Sequence, residues 1–191
     1  MRISDDRYSR DRLRFDLALR FMRHEARTHT IRKWTGLTDD RIRKLYRSYL
    51  TYLPSQVARH RGKSPGQAGF FTRTPRAQQE AAILASLFCL LGVMPSDVVV
   101  DAQHPLPGVA RGERLCEAYE AYLTLVPSSL ITFEHAILLV NSLARGEELR
   151  LGDCTECGVL VVVDSLSIGN IRCSCCAQPT GDLRRLSAHS R

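Results

Sequence analysis

The sequence predicts a mainly α protein: a helical body that contains a helix-turn-helix-like segment, with a small hairpin module at its C-terminal end. Three observations predict this. Apolar side chains recur at helical spacing through most of residues 9–145, as helices with one buried face require. Cys154-Thr-Glu-Cys157 and Cys173-Ser-Cys-Cys176 are two Cys-x-x-Cys pairs with fifteen residues between them, the arrangement of a four-thiolate zinc site. Between the pairs, Val159-Leu-Val-Val-Val163 is a β-branched run that reads as a strand. The module is therefore a four-cysteine zinc-ribbon hairpin. The body occupies residues 1–148, the ribbon 149–178 and a polar tail 179–191.

Residues 9–27 place Leu13, Leu17 and Phe21, with Leu19 and Met22, on one helical stripe, and Ser9 or Asp11 stands where a cap belongs. Arg10, Arg12, Arg14, Arg20 and Arg23 cover much of the remaining surface. His24 and His29 follow, five residues apart. That is about 140° around a helix, so they cannot share a face as the pair in a zinc-protease helix must. They read as surface or helix-end histidines.

Thr30–Thr35 is a short helix, Gly36 permits a sharp turn, and Thr38-Asp39-Asp40 opens a second helix with a cap and an acidic first turn. Ile31, Leu37, Ile42 and Leu45 fall where a helix-turn-helix packs its two helices together. Arg41, Arg43, Lys44 and Arg47 then face outward with Tyr46 or Tyr49. With Arg32 and Lys33 they are candidate DNA-contacting residues, able to meet phosphates and base edges in a major groove. Arg32 departs from the pattern, because a small residue is usual where the two helices cross.

Residues 54–75 hold Pro54, Pro65 and Pro75 among Gly62, Gly66 and Gly69 without helical periodicity, and read as a loop or extended linker. Arg59, Arg61 and Lys63, around His60, make a cationic patch suited to phosphate. Phe70-Phe71 are expected to dock on the core. Thr74-Pro75 starts a helix that is apolar through Ala81, Ile83, Leu84, Leu87, Phe88 and Leu91 to Gly92. Beyond Val98–Val100 and a Pro-Gly loop, residues 112–125 bury Leu115, Ala118, Tyr119, Tyr122 and Leu123. The last body helix spans about residues 129–144 and stops near Gly146. In the ribbon, residues 149–151 lead in, Gly158 permits the turn back, residues 164–167 turn again, and Ile168–Arg172 returns to the second cysteine pair.

Charge is distributed unevenly. Residues 1–76 carry 19 Lys and Arg against 7 Asp and Glu, whereas residues 77–150 carry 4 against 9. A basic half beside an acidic one is the electrostatic footprint of a polyanion binder. The longest apolar stretch, Ala81–Met94, is fourteen residues, short of the roughly eighteen that span a bilayer. The first fifteen residues are charged throughout and lack the apolar core of a secretory signal. A cytoplasmic location without membrane partners is the expectation. In that reducing compartment the seven cysteines favour metal over disulfides. Cys89 and Cys116, among apolar neighbours, read as small buried side chains, and Cys175 as a spare thiol.

The ligand set Cys154, Cys157, Cys173 and Cys176 closes a tetrahedral site, leaving no open position for substrate, so the metal is structural. An iron–sulfur cluster is the chemical alternative for four thiolates. The His-x-Glu and Pro-Cys-x-x-Cys pair of the zinc deaminases is absent, as are a Gly-x-Ser-x-Gly elbow and a P-loop. No catalytic residue is assigned and no enzyme is expected. The other class open to such a chain is a zinc-ribbon adapter or RNA-associated protein without sequence-specific DNA binding.

The order of RIRKLYRSY at residues 41–49, a Pro/Gly loop with FFT at 70–72, a helical body and CTECG followed by IRCSCC at 171–176 resembles the FlhC family of flagellar transcriptional activator subunits. The resemblance covers most of residues 10–178 and is most specific at RIRKLYR and at the cysteine pairs. It implies that the family's four zinc ligands are Cys154, Cys157, Cys173 and Cys176, one Zn2+ per chain. It further implies a partner resembling FlhD, in a hetero-hexamer of four FlhD and two FlhC. That assembly binds promoter DNA upstream of flagellar operons and recruits RNA polymerase.

Overall fold

The computed structural model describes residues 2–50, 60, 62–94 and 108–177. Arg59 and Arg61 of the basic loop, Val98–Val100 with the Pro-Gly loop and the 179–191 tail lie outside the described residues. Six helices form the body: α1 (Arg2–Arg23), α2 (Thr28–Thr35), α3 (Asp39–Leu45), α4 (Pro75–Leu90), α5 (Val109–Leu125) and α6 (Phe133–Arg145). An antiparallel hairpin, β1 (Leu149–Asp153) and β2 (Leu160–Asp164), follows, and then one helical turn, α7 (Ser174–Ala177). A π turn, Tyr46–Leu50, continues α3, and a 3-10 turn, Ala68–Phe71, precedes α4. The protein is mainly α, as its apolar periodicity requires.

Helix α1 starts before Ser9 or Asp11 and ends before residue 27. It stops because Glu25 turns left-handed at φ +59°. The Glu25 N–H then donates to Met22 O and the Ala26 N–H to Phe21 O, both at 2.9 Å, which completes a Schellman cap. Leu17, Phe21 and Met22 are fully buried, but Leu13 is 54% exposed. Periodicity names the face of a helix; it does not say how far the neighbouring helices extend along it.

Between α2 and α3, Gly36 sits at φ +70° and closes α2 onto Arg32 O at 2.9 Å. Ile31, Leu37, Ile42 and Leu45 are all buried, joined by Trp34 against Phe21. Thr38 caps α3 by accepting from the Arg41 N–H, so the sequence signals at this turn were local and sufficient. Thr74 likewise caps α4, accepting from the Ala77 N–H at 3.1 Å. Phe71 is buried, and Phe70 stacks on His135 with ring centres 4.3 Å apart, so the pair docks as expected, from a 3-10 turn inside the loop.

Two helix starts differ from expectation. Helix α5 begins at Val109, which places Gly112 inside it, under the side chain of Leu17. Helix α6 begins at Phe133 and not near residue 129, because Thr132 is its cap and Ile131 is spent otherwise. Ile131 is buried and its carbonyl accepts the Tyr119 hydroxyl at 3.1 Å.

The hairpin also differs. The strand after the first cysteine pair does not pair with residues 168–172, which form no strand. It pairs with β1, in the register Leu149↔Asp164, Leu151↔Val162 and Asp153↔Leu160. The first cysteine pair therefore occupies the loop of the hairpin instead of preceding it. Alternation along the strands splits their side chains. Leu149, Leu151 and Val162 enter the body's core, and Val161 and Val163 face the cysteines. Helix α4 covers β2, where Gln78 Nε2 donates to Val162 O at 3.1 Å. No helix of the described residues is long and apolar enough to cross a membrane.

Candidate metal centre and basic surface

Cys154 leaves β1 directly. Its N–H donates to Val159 O at 2.9 Å and its carbonyl accepts the Gly158 N–H at 2.8 Å. That turn needs a left-handed residue, and Gly158 supplies it at φ +69°. The chain returns through Ile171, whose carbonyl accepts both the Thr155 N–H at 2.9 Å and the Thr155 hydroxyl at 3.1 Å. This clamp delivers Cys173 to the start of α7 and Cys176 onto it. Arg172 pairs with Glu156 at 3.0 Å across the same gap.

The four sulfurs of Cys154, Cys157, Cys173 and Cys176 all lie within 4.8 Å of one another, and Cys157 Sγ stands 3.7 Å from Cys173 Sγ. Thiolates at about 2.3 Å from one tetrahedral ion stand about 3.8 Å apart. The geometry therefore fits a single metal ion held by four cysteines. All of the cysteines are free thiols. Cys175, between two ligands in sequence, is exposed and stands outside the group, as its spacing required.

Backbone donors prepare the site for anionic sulfur. The Cys173 N–H donates to Cys154 Sγ at 3.3 Å, and the Cys154 thiol is pulled down to about 6. The Cys176 N–H does the same to Cys173, lowering it. Cys157, despite the Val159 amide, is pushed up by the sulfur of Cys154, and Cys176 is pushed up to about 12 by Cys173. Thiolates crowded this closely repel one another, and a divalent ion at their centre would remove the repulsion.

The basic candidates divide by position. Arg32, Lys33, Arg41, Arg43, Lys44, Arg47 and Lys63 are all exposed. Arg32 does not enter the helix crossing; it reaches out to Asp39 at 3.8 Å, which explains how a long side chain is tolerated there. Arg43 pairs with Asp40 at 3.0 Å, and Arg41 lies over the Phe15 ring. Tyr46 is not available to a ligand, because its hydroxyl donates to Ala26 O at 3.2 Å. Tyr49 is exposed. His24 and His29 do not converge: His24 Nε2 sits 2.9 Å from Glu120 Oε1 and its ring stacks on Phe133, while His29 is exposed. Cys116 is buried and Cys89 half-buried, and burial pushes both thiols up.

Sequence reasoning missed the buried acids. Glu80 lies on the inward stripe of α4, one turn before Leu84, and accepts from Tyr122 and Leu130. Glu134 of α6 accepts from the Arg27 N–H at 2.8 Å and the Thr30 hydroxyl at 3.1 Å, tying α6 to the start of α2. A carboxylate on an apolar stripe was the available signal. On α5, Glu113 and Glu120 converge on Arg20 at 2.6 Å each. No family model matches the chain, and no curated protein matches it.

Proposed function

We propose that the protein is a DNA-binding subunit of a transcriptional activator, resembling FlhC, in which a zinc ion is structural. The observation that carries the reading is the division of α3 and its π continuation. Ile42 and Leu45 anchor the segment in the core while Arg41, Arg43, Lys44, Arg47 and Tyr49 stand exposed. A short helix held from behind, with cations and a phenol in front, suits a duplex groove. Zinc is favoured over an iron–sulfur cluster because the sulfurs close around one point, whereas a multi-iron core would hold them farther apart. The partner is an FlhD-like protein, in a hetero-hexamer of four FlhD and two FlhC. The proposed assembly acts in the cytoplasm on promoter DNA of flagellar and motility operons and engages RNA polymerase.

The test is co-purification with an FlhD-like protein, followed by footprinting and salt titration on flagellar promoter DNA. Protection of a discrete site is expected, with affinity falling steeply as salt rises through counterion release. Equal binding to scrambled duplex sinks the sequence-specific reading. Tighter binding to single-stranded RNA of equal charge favours an RNA-associated protein instead.

A further inference from the structure

Four described helix ends turn on a left-handed residue, and three of them use glycine: Gly36, Gly92 and Gly146. The fourth, after α1, uses Glu25, the one non-glycine residue with positive φ among the described residues. Gly92 shows the comparison directly. It ends α4 in the same pattern, with the Val93 N–H bonded to Phe88 O as the Ala26 N–H is to Phe21 O. A Cβ in this conformation is unfavourable and glycine escapes the strain, so glycine is the residue that local stability selects. Glutamate must do something that glycine cannot.

What it does is reach the basic loop. Glu25 Oε2 lies 2.7 Å from His60 Nε2. The pair is 44% and 50% exposed, and exposed pairs of this kind add little to global stability. Its effect is positional. Arg27 adds a second tie by donating to the carbonyl of Lys63. Between them, Ala26 O accepts the hydroxyl of Tyr46, the residue that opens the π turn carrying Arg47. From the opposite side Glu134 holds the Arg27 N–H. Three consecutive residues thus fasten the loop, the end of the α3 segment and α6 to one corner.

We propose that Glu25 is a positioning residue for nucleic-acid binding, which latches the chain at His60 so that Lys63 and the cations of the α3–π segment meet one phosphate backbone together. The inference rests on the DNA-binding reading above. Holding charges in register matters because each phosphate neutralised adds to affinity only if the side chain is in place when the duplex arrives.

The experiment compares the full chain, with its partner where one co-purifies, with Glu25→Gly and His60→Ala. Glu25→Gly keeps the helix cap and removes the latch; His60→Ala removes it from the other side and leaves the cap untouched. Both should speed tryptic cleavage after Lys63 by about tenfold through local opening. Glu25→Gly should leave Tm unchanged or raised. Affinity for flagellar promoter duplex should fall by about tenfold in both, with a salt slope shallower by about one. Glu25→Gln, which can still accept from His60, should restore both readouts. Wild-type cleavage rates in the two variants, or faster cleavage with unchanged affinity and slope, overturn the proposal alone. If the wild-type protein binds no duplex at any salt, the DNA-binding reading fails and this role fails with it.

Discussion

Leu17 fills the space in which a side chain on Gly112 would stand: a Cβ there would lie 2.6 Å from Leu17 Cδ2, 3.1 Å from Cδ1 and 3.4 Å from Cγ. Helix α5 can therefore approach α1 this closely only without a side chain at 112. Leu17 is fully buried, so it cannot swing into solvent to make room. Gly112→Ala is expected to destabilise the protein by about 1–3 kcal/mol through overpacking, despite alanine's better helix propensity. Urea unfolding measures this, and an unchanged or raised midpoint would mean the contact relaxes freely.

Glu80 carries a pH-dependent part of the stability. Burial alone pushes its carboxyl up. Donors from Tyr122 at 2.7 Å, the Leu130 N–H at 2.7 Å and Arg76 at 2.8 Å more than reverse that, leaving it below the usual carboxylate range. A folded-state pKa depressed in this way gives stability that is present above the unfolded value and lost as pH falls through the folded one. Glu80→Gln should cost about 1–3 kcal/mol at pH 7. The gap from wild type should narrow below about pH 4, as read from denaturant midpoints across a pH series. A gap that widens on acidification contradicts this sign.

Metal removal should act locally. About one equivalent of zinc per chain is expected, and Cys154→Ser or Cys173→Ser should abolish it while Cys175→Ser should not. Leu149, Leu151 and Val162 belong to the body's core. The strands should therefore stay folded on chelation, while residues 165–177 lose their protection from hydrogen exchange. Cooperative loss of the whole body on chelation would contradict that division. Iron with acid-labile sulfide in the purified protein would replace zinc by a cluster.

Local signals read well from sequence. The caps at Thr38 and Thr74, the glycine turns at Gly36 and Gly146 and the two Cys-x-x-Cys pairs each involve residues within four or five positions. Their chemistry is complete in a short window. The limits of α1, the start of α5 and the hairpin partner of β2 were not legible, because each depends on what a distant segment leaves room for. Leu13 has the spacing of a buried residue and is exposed; Gly112 looked like a helix start and is a helix crossing.

Ligand type, spacing and charge are properties of the chain, so four thiolates able to share one ion and a cationic N-terminal half could be read before any fold was known. Packing settled the rest. It joined β1 to β2, so that Cys154 meets Cys173 from the loop of that hairpin. It buried Glu80 and Glu134 among their donors, and it put Glu25, an ordinary surface residue in sequence, where glycine belongs and within reach of His60. The ties of Glu25 to His60, Glu80 to Tyr122 and Glu134 to Arg27 join residues 35 to more than 100 positions apart. Such contacts exist only once the packed core has chosen which segments meet.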